Sequence, residues 1–448
     1  MSEEIFDLVV IGGGPGGHAA AAEAARHGAR VGIVEKELWG GTCTHRGCVP
    51  TKALLACSGH YAALKKLSRL GVATGTAAYD FAAICRHRDQ TVRIAALGVE
   101  KSLQEARVVQ KTGEGKITSP GEVLCTAPNG GTESLRARHI AIAWGSEPAA
   151  IFPPSARVLT SDTFLRLAAL PKSQVIIGGS VIGVEFATFL AELGIPVRIV
   201  EILPALLPYE EAEAGAFLQK EMTRLGVEVH TATKVAALRE DGEGIRVETV
   251  KDGQHYEFRA EYALLCTGRR PRLDEETLAG TGIRHDRRGI AVTAGQETNI
   301  PGIYAVGDVT GGIMLAHRAM QQGRALASRL FGDGAVACRE DAVPAVTYTH
   351  PPIARIGLTE GQAREKGGDV EIVRNDYGAN IMARTELAGQ GFAKFIFQAN
   401  QLVGATIAGA GAPDLIAALT LAVTAGVDRR TLQSWILPHP TRSEILRL

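Results

Sequence analysis

No stretch of the 448-residue sequence stays apolar for the roughly 20 residues that a membrane-spanning helix needs, so no membrane partner is expected. Neither sign of charge dominates. Lys and Arg total 48 and Asp and Glu total 48, which removes any whole-chain argument for nucleic acid or an anionic lipid surface. The opening MSEEIFDLVVIGGG starts with acids and passes into a strand-like run, so no signal peptide is read there. Cysteines are few and odd in number, seven scattered along a long chain, unlike a secreted disulfide scaffold. These absences predict a cytoplasmic protein. In a reducing compartment a close cysteine pair points to metal binding or redox catalysis. At this length one core is not enough, and two to four domains are expected.

What is present is a repeat. Val9-Val10-Ile11-Gly12-Gly13-Gly14-Pro15-Gly16-Gly17 recurs as Val175-Ile176-Ile177-Gly178-Gly179-Ser180-Val181-Ile182-Gly183. Each copy continues into a helix-like run, a glycine (Gly28, Gly194), a second β-run (31–34, 197–200) and a glutamate. Glu35 lies 18 residues after Gly17, and Glu201 lies 18 after Gly183. The first glycine of such a unit (Gly12, Gly178) permits a sharp turn off the strand, and the second (Gly14) leaves room for a pyrophosphate. The third (Gly17, Gly183) lets helix and strand pack closely, and the helix N-terminus offers free N–H groups. The strand-end glutamate accepts hydrogen bonds from ribose hydroxyls. A single such motif arises for steric reasons alone; two in matched register predict two dinucleotide sites. Ser180 replaces the middle glycine of the second copy, and its small size predicts a displaced ligand rather than a lost one. Glu201 would repel a 2′-phosphate, and no arginine follows in 202–208, so the second nucleotide is expected to be NAD rather than NADP.

Past the first unit comes Gly40-Gly41-Thr42-Cys43-Thr44-His45-Arg46-Gly47-Cys48-Val49-Pro50-Thr51-Lys52, passing into a helix-like run over 53–67. On a regular helix two cysteines five positions apart point away from each other, beyond the roughly 7 Å that a disulfide spans. A bond would need a distorted turn, which Gly47 and Pro50 make plausible, and strain of that kind favours a reducible bond over a structural one. Zinc is the competing reading, but no second cysteine pair or histidine cluster completes such a site. Inert thiols are the third. Cys57, Cys85, Cys125, Cys266 and Cys338 have no close partner in sequence and read as buried or incidental.

The string resembles the active-site signature of the pyridine nucleotide–disulfide oxidoreductases, and the resemblance runs from about Ile5 to Glu444. Thr298-Asn299-Ile300-Pro301-Gly302-Ile303-Tyr304-Ala305-Val306-Gly307-Asp308 is similar to the family's second flavin segment. The following Met314-Leu315-Ala316-His317 is worded most like the dihydrolipoamide dehydrogenases. His439-Pro440-Thr441-Arg442-Ser443-Glu444 is similar to the C-terminal active-site motif. The resemblance implies an α/β fold: two Rossmann-like dinucleotide-binding domains plus a C-terminal α+β dimerisation domain. Its expected parts are an FAD domain (1–147, completed by 269–337), an NAD domain (148–268) and a dimerisation domain (338–448).

By the same resemblance Cys43 exchanges with substrate, Cys48 lies beside the flavin, His439 is the acid–base and Glu444 orients it. Asp308 holds the ribityl chain. Lys52 and Glu185 form an ion pair near the flavin, Gly145 (at the crossover between domains) and Gly268 are cofactor-binding, and His317 is divided between flavin contact and packing. The implied cofactors are FAD and NAD. The implied reaction oxidises dihydrolipoamide to lipoamide with reduction of NAD+ to NADH, in a homodimer serving lipoyl groups on an acyltransferase or glycine-cleavage carrier protein.

Two departures stand out. Ala143-Trp144-Gly145-Ser146 carries an indole where the family has threonine, and His45 replaces an asparagine. Glutathione-type reductases favour NADPH, against Glu201, and mercuric reductases carry a late cysteine pair that is missing after Cys338. Soluble transhydrogenases lack the full C-x4-C pair. An idle flavoprotein subunit of a larger complex is the alternative of a different class, opposed by the presence of Cys43, Cys48, His439 and Glu444 together.

Overall fold

The first strand, Phe6–Ile11, is buried at every position but Asp7, as expected of a run of Val, Leu and Ile covered on both faces of a parallel sheet. A computed structural model describes residues 5–73 and 75–448; the N-terminal acids at 1–4 fall outside the described residues. The first strand pairs in parallel with Val31–Glu35 on one side and Thr132–Ile142 on the other. Val109–Thr112 extends the sheet beyond Val31–Glu35, and Ile303–Ala305 pairs with Thr132–Ile142. Glu114–Ser119 and Glu122–Thr126 add antiparallel strands. Helices Pro15–Arg26 and Ala316–Phe331 cross backbone to backbone: a Cβ on Gly323 would strike the Gly16 carbonyl oxygen.

The second copy of the repeat builds its own parallel sheet, in the order Glu228–His230, Val197–Val200, Gln174–Ile177, Tyr262–Leu265, Val158–Thr160. Between Glu228–His230 and Tyr262–Leu265 the chain forms a three-stranded antiparallel meander, Lys234–Glu240, Ile245–Lys251 and Gln254–Ala260. The C-terminal part is an antiparallel sheet ordered Ala345–Thr347, Ile353–Gly357, Gln401–Ala408, Phe392–Gln398, Val370–Asp376. Its buried Phe395, Phe397 and Ile407 share a core with Ile416 and Leu419 of the helix Ala412–Thr424. The fold is therefore α/β with a C-terminal α+β part.

The chain divides into two compact units. The first contains Met1–Ala53, Cys85–Ala149 and Arg269–Cys338; the second contains Leu54–Ile84, Ala150–Gly268 and Arg339–Leu448. The second unit thus joins the second dinucleotide module to the C-terminal sheet. Polar contacts show why. Glu185 accepts the Tyr348 N–H at 3.0 Å, and the buried Glu192 accepts from Ser58 Oγ at 2.5 Å and meets His350 Nδ1 at 2.8 Å. Among the described residues no helix is long and apolar enough to cross a membrane.

Candidate active site

The two copies of the repeat fold into the same device. Gly12 and Gly178 have φ of +113° and +111°, a region that a side chain makes costly. A Cβ on Gly17 would overlap the Gly12 carbonyl oxygen, and one on Gly183 would overlap that of Gly178, so the third glycine of each copy is required by contact. The middle position is different. Gly14 faces open space, where a Cβ would meet nothing within 4 Å. Gly14 and Ser180 both begin their helices in extended backbone, with φ of −70° and −84°, so serine takes the position without strain. Neither helix start is capped by a side chain, which leaves first-turn amides available to an anion.

Each strand-end glutamate is buried and does the same local work. Glu35 Oε2 accepts the Gly13 N–H at 2.6 Å and its Oε1 accepts the Glu37 N–H at 2.7 Å. Glu201 accepts the Gly179 and Leu203 amides at 2.6 and 2.7 Å. These carboxylates fix the turn whether or not ribose binds, and each oxygen keeps a lone pair for a hydroxyl. The uncapped helix start and the fixed carboxylate fit a dinucleotide at each copy, and at the first copy the open space at Gly14 adds to the fit.

The cysteines sit on either side of a helix break. Cys43 lies in the short helix Gly41–Arg46; Gly47 ends it with φ −145° and ψ −108°, and Cys48 begins the helix Cys48–Leu64. The interruption puts the two side chains within hydrogen-bonding reach, both as thiols. The hydrogen bond with Cys48, then burial and the Cys48 charge, push the Cys43 thiol up; Lys52 opposes them. Lys52 lies four residues after Cys48, one turn along the same face. Around the pair, His45 Nε2 meets the Trp39 carbonyl at 2.9 Å, and Arg46 pairs with Glu37 at 2.6 Å. The unusual histidine thus braces the redox loop from within.

Asp308, the second residue of the turn Gly307–Thr310, accepts from Ser146 Oγ at 2.6 Å; Arg269 donates to the Ser146 hydroxyl and carbonyl, both at 2.8 Å. Ser146 and Arg269 escaped the sequence reading, although each directly follows a glycine that it did single out, Gly145 or Gly268. These glycines have φ of +74° and +101° and open surroundings, and they lead into the two-stranded ribbon of Ser146–Pro148 with Arg269–Pro271. Trp144 packs against the apolar core of this unit. His317 is exposed on the first turn of Ala316–Phe331.

Cys43, Cys48 and Lys52 belong to the first unit, whereas Glu185, His439 and Glu444 belong to the second. His439 Nδ1 lies 3.1 Å from both Glu444 oxygens, with its side chain 69% exposed. The hydrogen bond with His439, then the Thr441 amide, hold the Glu444 carboxyl below its usual range. With Nδ1 donating to Glu444, Nε2 is the nitrogen free to take up a proton. Among the described residues no group of three or more His, Cys, Asp or Glu is placed to hold a metal ion.

Residues 6–323 match the pyridine nucleotide-disulphide oxidoreductase family, and residues 343–448 match its dimerisation domain. A dihydrolipoyl dehydrogenase of Chlorobaculum tepidum is 36% identical over 450 residues, covering 99% of this chain and 96% of the relative. Dihydrolipoyl dehydrogenase 3 of Pseudomonas aeruginosa is 34% identical over 454 residues, with 99% and 97% covered. Among solved structures, LpdA from Mycobacterium tuberculosis superposes with TM-score 0.91 at 26% identity, covering 98% of each chain. The HOCl-induced flavoprotein disulfide reductase RclA from Escherichia coli, as its Cu(II) complex, superposes with TM-score 0.87 at 25% identity, covering 99% of this chain and 98% of that one.

Proposed function

The chain belongs to the pyridine nucleotide-disulphide oxidoreductase family, and within it we propose the oxidation of dihydrolipoamide to lipoamide with NAD+ as acceptor. Family membership makes it a flavoprotein disulfide oxidoreductase using FAD and NAD(H), and the matched dimerisation domain supports a homodimer. The observation that carries the reading is the contact between Cys43 and Cys48 across the Gly47 break, with Lys52 acting on it. Held by the Gly12–Gly17 turn, Glu35 and Asp308, FAD supplies when bound the two-electron passage between the cysteine pair and NAD+.

This chain's residues perform the exchange. His439 Nε2 takes a proton from one substrate thiol, and Glu444 keeps Nδ1 as the donor nitrogen throughout. The resulting thiolate attacks Cys43 Sγ; the Cys43–Cys48 bond breaks and Cys48 leaves as a thiolate. The second substrate thiol attacks the mixed disulfide at the substrate sulfur and releases Cys43. That thiol's proton passes to Cys43, so two substrate thiols become one cyclic disulfide while the enzyme disulfide becomes the Cys43 thiol and the Cys48 thiolate with His439 protonated, and bonds, protons and electrons balance. Lys52 favours negative charge at the pair, and a Lys52–Glu185 ion pair belongs to the same proposal. The Gly178–Gly183 turn and Glu201 receive NAD+, with Gly145 and Gly268 also in cofactor binding and His317 beside the flavin.

The substrate group is proposed to be carried by an acyltransferase or glycine-cleavage carrier protein in the cytoplasm. A second reading, reduction of a disulfide substrate at the expense of NAD(P)H, is favoured by the likeness to the RclA reductase. Single-turnover mixing of the oxidised holoenzyme with dihydrolipoamide tests the choice. Reduction of Cys43–Cys48 within the steady-state turnover time supports the first reading. A holoenzyme that dihydrolipoamide leaves oxidised, yet NADH reduces, supports the second.

A further inference from the structure

The segment 202–211 follows Glu201 and is gripped at both ends. At the nucleotide turn, Glu201 accepts the Leu203 amide and the Leu207 amide donates to the Gly179 carbonyl at 3.0 Å. Leu206 is fully buried, and its side chain is what a Cβ on Gly179 would meet, while its carbonyl is what one on Gly215 would meet. The next residue, Leu207, is buried with φ +49°, a left-handed conformation that leucine rarely adopts and keeps only when its surroundings enforce it. At the far end stand two acids. Glu210 pairs with Arg355 at 2.6 Å. Glu211 accepts from Lys394 Nζ at 2.9 Å and from the Glu360 amide at 2.9 Å, with Lys394 only 7% and Glu211 5% exposed.

Lys394 is the single charge in the strand Phe392–Gln398 of the C-terminal sheet, whose other residues before the terminal Gln398 are apolar. Burial alone would lower its ammonium, but hydrogen bonds to Glu360 and Glu211 outweigh burial and hold it above the usual lysine value. A buried ion pair is poor evidence of stabilisation, because apolar substitutes often serve as well. What such a pair does supply is a fixed register between the elements that it joins.

We propose that Lys394 and Glu211 are positioning residues for the nucleotide half of the reaction: their buried pair holds segment 202–211, and through Leu206 and Leu207 the Gly178–Gly183 turn, in the shape that receives NAD+. The proposal rests on the reading of that turn as the NAD site. Affinity gained this way comes from ordering the loop before the ligand arrives. The C-terminal sheet then takes part in NAD+ binding without touching the nucleotide.

Three forms of the FAD-loaded enzyme test it: wild type, Lys394→Met, and the double variant Lys394→Met/Glu211→Gln. NADH affinity is read by calorimetry on enzyme fully reduced beforehand with dithionite, so that binding transfers no electrons; thermal midpoint is read by scanning, and the dithiol half-reaction by single turnover of the oxidised enzyme with dihydrolipoamide and no NAD+. Lys394→Met strands a buried carboxylate and lowers both the midpoint and NADH affinity. In the double variant Glu211 carries no charge and Glu360 keeps its pair with Arg364 at 2.7 Å, so the midpoint is regained, yet NADH still binds about tenfold more weakly, because the register remains loose. The dithiol half-reaction stays within about twofold of wild type in both. The proposal is overturned if the double variant binds NADH like wild type, or if NADH affinity follows thermal midpoint through all three forms. Should the single variant fail to fold, the double variant decides alone. A stable wild type with no affinity for NADH is a separate result, which removes the nucleotide reading on which the proposal stands.

Discussion

Cys43 and Cys48 are distinguished from the other five cysteines by having each other, and the consequences are individual. Cys43→Ser removes the sulfur that substrate attacks and leaves Cys48 in place. Lipoamide turnover should vanish, while NADH-driven reduction of an artificial dye, which needs no dithiol, survives. Continued lipoamide turnover in that variant would assign the exchange to another thiol. His439→Ala should slow the dithiol half-reaction by roughly 10²–10⁴-fold, the span of general acid–base catalysis. For Glu444 the sign is determined by its depressed pKa. A carboxyl held below its usual value stays ionised at neutral pH and keeps its bond to His439 until the medium falls through that depressed value. Glu444→Gln should therefore slow turnover across the whole neutral range. A defect confined to acid solution would contradict the assignment. Glu201→Ala orphans the Gly179 and Leu203 amides as well as removing charge. It should weaken NAD+ by about ten- to a hundredfold and narrow the preference over NADP+ in kcat/KM; equal use of both coenzymes by the wild type would refute the selection argument.

Among the elements, the two strand–turn–helix units permit a comparison inside one chain. Gly17→Ala and Gly183→Ala make the same overlap, each with the carbonyl of the first glycine of its own turn. The first should lose FAD on purification; the second should keep its flavin absorbance but lose NADH binding by calorimetry. Loss of flavin from Gly183→Ala would contradict the division of labour. Both units were legible in the sequence because their signal is local: glycines and a glutamate at fixed spacing within one turn of fold. The helix break at Gly47 was legible for the same reason. Ser146 and Arg269 were not, since a serine and an arginine 123 residues apart carry no periodicity, and neither was the pairing of Glu211 with Lys394 across 183 residues. Glu35 and Glu201 were readable as ligands but not as turn braces, because their bonds to Gly13 and Gly179 exist only once the loop closes.

For the whole molecule, the sequence divides the second nucleotide segment from the C-terminal segment, whereas the chain folds them into one compact unit. Acids spread from Glu185 to Glu211 meet donors between Tyr348 and Lys394, and no composition shift announces that joint. The matched dimerisation domain raises a question of assembly. If His439 acts across the dimer, a mixed dimer of Cys43→Ser and His439→Ala subunits contains one intact site and one doubly damaged site. Purified through two tags, it should show roughly half of wild-type lipoamide activity when distant lesions do not couple; a mixed dimer as inactive as its parents places His439 in its own chain's site. The central claim, dithiol oxidation coupled to NAD+, is tested most directly by anaerobic stopped-flow absorbance of the oxidised holoenzyme with dihydrolipoamide and NAD+. The account predicts a long-wavelength thiolate–flavin band first and then one NADH for each dihydrolipoamide consumed. An enzyme that forms neither the band nor NADH, with both cofactors bound, would contradict it.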